Sequence, residues 1–242
     1  MNLILSIIFL TFLATQHTHG DVFDKLTSQG RHLLDQANIP GTLIRQCSCV
    51  EQEECFEIMK SQVHSCIAPC WKGFNKVTDR PDDLKKCFDS KNDMLVSLLD
   101  CFEDNIHSCD DSHAQSIMIP KKNISEVFRL GVLKVESSKK GSINLIAPIQ
   151  HIVDAAGEVA LCVKNCFIEK NTPSFCFDDK NCQPKLEESD AKKSLRKCTK
   201  GINWKSEAGE ICECSVKAGL EDLSQYCPMF KLMASRAIRR RN

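Results

Sequence analysis

Cysteine is the residue type in this sequence with the widest range of possible chemistry. The 242-residue chain has 16 cysteines, which could serve as nucleophiles, zinc ligands or disulfide partners. A reducing cytosol gives little reason to keep so many thiols, so this even number predicts disulfide bonds formed in an oxidising compartment. The cysteines form two groups of eight: Cys47, Cys49, Cys55, Cys66, Cys70, Cys87, Cys101 and Cys109, then Cys162, Cys166, Cys176, Cys182, Cys198, Cys212, Cys214 and Cys227.

The residue spacing gives little support for redox, nucleotide-binding, hydrolytic or metal-binding motifs. The sequence has no CxxC redox pair, no GxGxxG or P-loop, no GxSxG, no HExxH and no EF-hand loop,. Zinc would need a close tetrahedral set, for which Cys47-Ser48-Cys49, Cys212-Glu213-Cys214 and His64 are the candidates,. In an exported chain, disulfide bonding is the favoured use of these thiols. We therefore expect no metal and no cofactor.

Cysteine–histidine catalysis is the remaining enzymatic possibility. It would need a free thiol beside His64, His107 or His151,. An even cysteine count leaves no thiol spare, and His32 and His113 belong to no recognisable motif,. We therefore predict that the protein is not an enzyme.

Composition narrows the class of partner. Lys and Arg together number 32, and Asp and Glu together also number 32. A nucleic-acid surface built on bulk charge would need an excess of basic residues, so we expect no nucleic-acid partner. At 42% hydrophobic and 26% charged residues, the chain has the composition of an ordinary globular protein,.

The N-terminus fits export from the cell. Leu3–Ala14 is an uncharged apolar run, too short to span a bilayer and of the right length for the apolar region of a signal peptide,. Small residues favour cleavage after Gly20, with cleavage near Ala14 the weaker alternative. We predict a signal peptide over residues 1–20, no stable membrane insertion after its removal, and a secreted, extracellular protein.

The mature chain divides into two cysteine-rich halves. We predict an N-terminal module over 21–110, a cysteine-free connecting segment over 111–145 with a polar linker at 137–142, and a C-terminal module over 146–242. That module ends in the basic cluster Arg236–Arg241, which is either a solvated tail or a contact for acidic glycans or membrane surface,.

The two halves share cysteine spacing. Cys66 and Cys70 shifted by 96 residues give Cys162 and Cys166, while Cys87 and Cys101 shifted by 111 give Cys198 and Cys212. Either a duplicated unit or chance spacing among sixteen cysteines accounts for these matches.

Most of the chain has helical periodicity, with apolar residues at steps of three and four. These stripes run over Val22–Ala37, Cys55–Val77, Leu84–Phe102 and Ile149–Phe167. Pro81 followed by Asp82 and Asp83 predicts a helix start, and residues 90–93 predict a kink,. Phe128–Val135 is the exception, because its pattern fits a short strand. The predicted fold is mainly α, built from disulfide-stapled helical hairpins in two related modules.

A hairpin of this kind predicts disulfide pairs. If two helices fold back at residues 78–80, cysteines equidistant from the turn face one another within about 1.5 Å of helix rise. The resulting pairs are Cys70–Cys87, Cys55–Cys101, and Cys109 with Cys49 or Cys47. Cys66 and the remaining one of Cys47 and Cys49 would then tie in another element, such as the Val22–Ala37 helix. In the second half, Cys176 and Cys182 most simply pair with each other.

Asn123-Ile124-Ser125 is an N-glycosylation sequon in the cysteine-free segment, where a surface position is expected,. We predict glycosylation of Asn123, against the alternative of an unmodified loop residue.

The first half resembles a known cysteine framework. The shared residues are Cys47-Ser48-Cys49, Cys55, Cys66, Cys70-Trp71, Phe74, Leu84-Lys85-Lys86-Cys87-Phe88 and Cys101-Phe102-Glu103. This pattern resembles that of nematode secreted proteins with a chondroitin proteoglycan 4 domain, over about 45–110 and more loosely over 160–230. The resemblance implies a small helical, disulfide-bonded extracellular module in a family without a described catalytic role. Some relatives carry chondroitin on Ser-Gly dipeptides, but this sequence has none.

These observations together predict a non-enzymatic secreted structural or interaction protein of an extracellular matrix, eggshell or cuticle. Its partner would be an unidentified extracellular protein or glycan. A secreted carrier of lipid or of a small hydrophobic ligand is the first alternative, since 12 Phe against one Tyr gives an oily interior. A secreted inhibitor or effector that binds a protein is the second.

Overall fold

A computed structural model describes residues 19–111, 117–140 and 147–230 of the chain. The apolar run Leu3–Ala14, His113 and the basic cluster Arg236–Arg241 lie outside these described residues, as do residues 141–142 of the predicted linker. All sixteen cysteines and the Asn123 sequon lie within them.

The described chain is mainly helical, as its periodicity predicts. Its α-helices are α1 (His19–Gln36), α2 (Cys49–Trp71), α3 (Pro81–Asp89), α4 (Asn92–Asn105), α5 (Ile124–Lys140), α6 (Gln150–Lys170), α7 (Cys176–Asp179), α8 (Glu188–Thr199) and α9 (Trp204–Lys217). Short 3-10 turns occupy Lys72–Lys76, Ala147–Ile149 and Glu221–Leu223, and residues 227–230 are again helical.

Local sequence explains several helix boundaries. Ser48 caps α2 by accepting a hydrogen bond from the backbone N–H of Glu51, whose side chain accepts one from the Ser48 N–H in return,. Pro81 occupies the first turn of α3, with Asp82 and Asp83 beside it at the positive end of the helix dipole,. The interruption between α3 and α4 falls at residues 90–91, so both the Pro81 helix start and the predicted break are confirmed.

The predicted strand over Phe128–Val135 is wrong, because these residues lie inside α5. The Arg129 guanidinium donates to the Glu126 carboxylate one helical turn earlier, a contact that a helix brings together and a strand does not. Residues 137–140 of the predicted linker are also helical.

A small sheet was not predicted. Its strands are β1 (Asn38–Gln46), β2 (Met118–Lys122) and β3 (Cys182–Gln183), in the order β2-β1-β3. β1 is antiparallel to β2, with Ile44 opposite Ile119, and parallel to β3. The register shifts between Asn38 and Leu43, where Gly41 has a φ of 69° that favours glycine,. The inward Ile44 and Ile119 are buried.

The main core lies between α2 and α6. Trp71 and Phe74 from the α2 end pack in one cluster with Ile152, Val159 and Val163 of α6, all at most 5% exposed. The Trp71 indole also donates to the Pro81 carbonyl at 2.8 Å, which fixes the turn into α3. The two cysteine-rich halves therefore share one hydrophobic core.

Candidate functional site

The sixteen cysteines form eight disulfides, and none is free. Six of these bonds join the first half of the chain to the second. Those six are Cys47–Cys182, Cys55–Cys176, Cys66–Cys166, Cys70–Cys162, Cys87–Cys214 and Cys101–Cys198. The other two lie within one half and are Cys49–Cys109 and Cys212–Cys227.

The predicted hairpin ladder is largely wrong. Its pairs Cys70–Cys87 and Cys55–Cys101 do not form, because all four of these cysteines bond to the second half. The ladder assumed that α2 folds back onto α3, whereas the apolar side of α2 packs chiefly against α6. One alternative in the ladder is confirmed: Cys109 bonds to Cys49, with Cα atoms 4.9 Å apart.

The other predicted pairings fare differently. Cys66 does tie in another element, but that element is α6, through Cys166, and not the suggested Val22–Ala37 helix. Cys176 and Cys182 do not bond to each other, because α7 and β3 place them against Cys55 and Cys47 of the first half. Nearness in sequence was therefore a poor guide to these two bonds.

Cysteine spacing does carry a signal for the cross-half bonds. Cys66 and Cys70 are four residues apart on α2, and so are Cys162 and Cys166 on α6. Two bridges between antiparallel helices need the same spacing on each helix and pair the cysteines in reverse order. The equal spacing that suggests a duplicated unit therefore also has a direct structural explanation.

Three disulfides lie at or beside a polar junction, here called the sheet junction, formed by residues 45–52, 106–111 and 180–183. Its central ion pair joins Arg45 of β1 to Glu51 in the first turn of α2 through two N–O contacts of 2.8 Å. Arg45 also donates to the Lys180 carbonyl at 3.1 Å, so one guanidinium ties both halves together.

The Glu51 carboxylate is strongly stabilised in its charged form. The Arg45 hydrogen bonds first, and the Ser48 backbone N–H second, lower the pKa of Glu51 from 4.5 to about 2,. The same pairing raises the pKa of Arg45. Sequence reasoning missed this pair, although Ser48-x-x-Glu51 has the form of a helix capping box,.

Buried polar side chains form hydrogen bonds between the segments of the sheet junction. Ser108, which is fully buried, donates to the Gln52 side-chain oxygen at 2.8 Å, and the Gln46 side chain donates to the Ser108 carbonyl at 3.0 Å. Gln183 both accepts from the Lys122 N–H and donates to the Lys122 carbonyl, each at 2.8 Å. These neutral hydrogen bonds satisfy polar groups that burial would otherwise leave at a cost.

Two lysines outside the sheet junction each form ion pairs with more than one carboxylate. Lys60 lies within 2.7 Å of carboxylate oxygens of both Glu57 and Glu103. Burial lowers the pKa of Lys60, but the two carboxylates outweigh burial and hold that pKa above its usual range. Lys91 contacts Glu207 at 2.8 Å and Glu210, which joins the α3–α4 break to α9.

The outward face of the sheet carries exposed apolar residues. Leu43 is 59% exposed and Met118 is 53% exposed, beside the exposed Pro120 that lies opposite Leu43. Pro120 also withholds a backbone donor from the outer strand β2, a feature that limits pairing with further strands.

The histidines are not arranged as a catalytic or metal site in the described residues. His64 and His107 are exposed, and so is His151, whose Nε2 lies 3.3 Å from Asp222. The predicted zinc alternative fails because Cys47, Cys49, Cys212 and Cys214 are all disulfide-bonded. Within residues 19–111, 117–140 and 147–230, no three His, Cys, Asp or Glu side chains converge as metal ligands.

Asn123 is exposed at the start of α5, as expected for the sequon. Among the helices that the structure describes, none has both the length and the apolar character needed to span a bilayer.

No protein-family model, curated protein or solved structure matches the chain. The pairing of its cysteines and the geometry around them are therefore the basis for a functional proposal.

Proposed function

We propose that this protein is a secreted, non-enzymatic structural or interaction protein of the extracellular space. The observation that carries the proposal is the complete pairing of sixteen cysteines, with six of the eight bonds joining the two halves of the chain. Disulfides persist in oxidising compartments and are reduced in the cytosol, so a fold that depends on eight of them is suited to the exterior of the cell.

The placement of the bonds supports a structural role. Each of the six cross-half disulfides closes a loop of 92 to 135 residues. A single bridge over about 100 residues stabilises a fold by roughly 4–5 kcal/mol, mainly by restricting the unfolded chain. Such a molecule holds its shape where temperature, proteases and mechanical load vary.

The bonding of the cysteines and the exposure of two histidines support a non-enzymatic role. Every thiol is bonded, so no cysteine is available as a nucleophile,. His64 and His107 are exposed, and among the residues that the structure describes neither has the buried carboxylate partner that orients a catalytic imidazole,.

The likeness of the first-half cysteine framework to the chondroitin proteoglycan 4 domain supports an extracellular setting such as a matrix, eggshell or cuticle. Because the chain has no Ser-Gly dipeptide, we propose that it acts without a chondroitin chain. Its partner in that setting is an extracellular protein or glycan.

The test is to express the full chain in eukaryotic cells and to analyse the medium. We expect secreted protein that takes up no alkylating reagent until it is reduced, and then takes up sixteen equivalents. Non-reducing peptide mapping should recover Cys66–Cys166 and Cys70–Cys162. Retention in the cytosol, or several free thiols in the secreted material, would refute the proposal.

Native mass spectrometry of the same sample distinguishes a scaffold from a carrier. A structural or interaction protein should have the mass of the polypeptide and any covalent glycan alone. A co-purifying lipid that is released on unfolding would show instead that the protein is a carrier.

A further inference from the structure

The Asn123 side chain has one polar atom engaged and one open. Its Oδ1 accepts a hydrogen bond from the Glu126 N–H at 3.0 Å, so that Asn123 caps α5,. Its backbone N–H donates to the Ala37 carbonyl at 2.8 Å, which fixes the residue beside the end of α1. The Nδ2 amide has no hydrogen-bond partner among the described residues, and the side chain is exposed.

The two neighbouring residues hold this amide at the surface. Ile124 is partly buried against the cluster of Cys47, Cys55, Phe177 and Cys182. Ser125, on the other side of Ile124, is exposed like Asn123. The middle residue of Asn123-Ile124-Ser125 is thus anchored in the core, while its two chemically active residues face solvent.

We propose that Asn123 carries an N-linked glycan on Nδ2. The donor class is an oligosaccharide joined through a diphosphate to a membrane lipid. In the transfer, Nδ2 attacks the anomeric carbon of the first sugar, a C–N bond forms, the C–O bond to the diphosphate breaks, and Nδ2 loses one proton. The proposal rests on the proposed function, because this donor and its transferase are met on the secretory route.

The folded structure accommodates the modification without loss of its own contacts. The glycosidic bond uses Nδ2, whereas the α5 cap uses Oδ1, so one side chain can do both. The sequence contains one Asn-x-Ser/Thr sequon,, so a single glycan per chain is expected.

The test uses the full chain, translated in the presence of endoplasmic-reticulum vesicles and also recovered from cell medium. We expect peptide-N-glycosidase F to lower the mass of the wild-type protein and to leave Asp at position 123. Asn123→Asp and Ser125→Ala should remove the shift completely, and Ser125→Thr should keep it. Asn123→Asp is the matched control for folding, since its carboxylate still accepts from Glu126 but has no amide nitrogen.

A parallel arm replaces residues 1–20 with an unrelated cleavable leader. If only this arm enters the vesicles and is glycosylated, the glycan site stands and the proposed secretion of the native chain fails. Wild-type protein that is protected inside the vesicles and secreted, yet has the bare polypeptide mass, would overturn the glycan proposal alone. A mass shift that survives in Asn123→Asp would overturn it as well.

Discussion

Cys66 and Cys166 are bonded across the two halves of the chain one helical turn away from the bond between Cys70 and Cys162. Their Cα separations, 5.8 Å and 5.7 Å, are nearly the same. The paired bridges hold α2 and α6 antiparallel along the main core. In this helix pair, covalent and hydrophobic stabilisation coincide.

The two neighbouring bridges should be non-additive. With Cys66–Cys166 intact, the Cys70→Ala/Cys162→Ala variant opens only a ring of about ten residues, which corresponds to a loss of about 2–3 kcal/mol. Removal of both bridges opens a much larger loop and should cost more than the sum of the single losses. Chemical unfolding followed by circular dichroism measures each variant.

The control for this cycle is the Cys212–Cys227 bridge, which closes a separate loop with a sequence separation of 15. Its removal should cost about 3 kcal/mol, and that cost should add independently to the loss of Cys70–Cys162. Simple additivity between the two α2–α6 bridges would contradict the prediction.

Gly73 should tolerate no side chain. A Cβ at this position would lie 2.6 Å from Cγ2 of Val159, which is 1% exposed. Gly73→Ala should therefore lower the free energy of unfolding by about 1–3 kcal/mol through overpacking. The cost of Gly73→Ala should be smaller in a Val159→Ala background than in the wild type, and a double-mutant cycle measures this difference.

Gly30 and Gly131 provide matched controls, because an added Cβ meets nothing within 4 Å at either position. Both lie inside helices, so alanine should raise stability by about 0.5–1 kcal/mol. A Gly73→Ala protein as stable as these controls would show that the Lys72–Lys76 turn and α6 are less closely packed than described.

The Arg45–Glu51 pair should make stability depend on acid pH. The folded-state pKa of Glu51, about 2, lies below its ordinary value of 4.5. Its contribution is therefore fully present above about pH 4.5 and is lost as the pH falls through that window towards 2. Glu51→Gln should cost about 1–2 kcal/mol at neutral pH.

Thermal unfolding at a series of pH values checks this. The difference between wild type and Glu51→Gln should be constant above pH 5 and should shrink steadily below it. Arg45→Gln is the control, because it removes the partner and should leave Glu51 with a more ordinary pKa. A wild-type advantage that persists unchanged at pH 2.5 would rule out this account.

Thr78 and Gly219 should be coupled across the halves. The buried Thr78 hydroxyl donates to the Ala218 carbonyl at 2.5 Å. Gly219 has a φ of 98°, and a Cβ there would lie 2.6 Å from the same hydroxyl oxygen. Gly219→Ala should cost about 2–3 kcal/mol from backbone strain and the clash together.

Thr78→Val removes the hydroxyl but keeps the shape, and should cost about 1–2 kcal/mol because the Ala218 carbonyl and the Arg80 N–H both lose their bond to this hydroxyl,. In the double variant the clash persists, since valine still carries a methyl group at this place. Thr78→Ser should behave like wild type in unfolding experiments. Equal stability of Thr78→Val and wild type would disprove the hydrogen bond's role.

The helices were the part of the fold that could be predicted from the sequence. The stripe from Ile149 to Phe167 matches α6, and Pro81 marks the start of α3 because its ring suits the first helical turn,. The three-stranded sheet escaped prediction because β1 contains Pro40 and Gly41 and shows no strict alternation. Phe128 was misassigned because its helical setting depends on packing against Phe167 and Phe175, which are distant in sequence.

Disulfide partners were less accessible to prediction because the hairpin assumption counted residues from one turn. The choice between α3 and α6 as the neighbour of α2 is made by apolar packing around Trp71 and Val159, which local periodicity does not report. Cys49–Cys109 was within reach because both cysteines belong to the same half.

The bonding between the two halves determines when during synthesis the native disulfides can form. Cys47 leaves the ribosome 135 residues ahead of Cys182, on the order of ten seconds or more at common translation rates. Until the second half emerges, six of the first eight cysteines are without their native partners, and only Cys49–Cys109 can close among them. Because six native bonds need a cysteine of the second half, we expect correct pairing to be completed late in synthesis or after it, and expression without a disulfide isomerase to yield more mispaired chains.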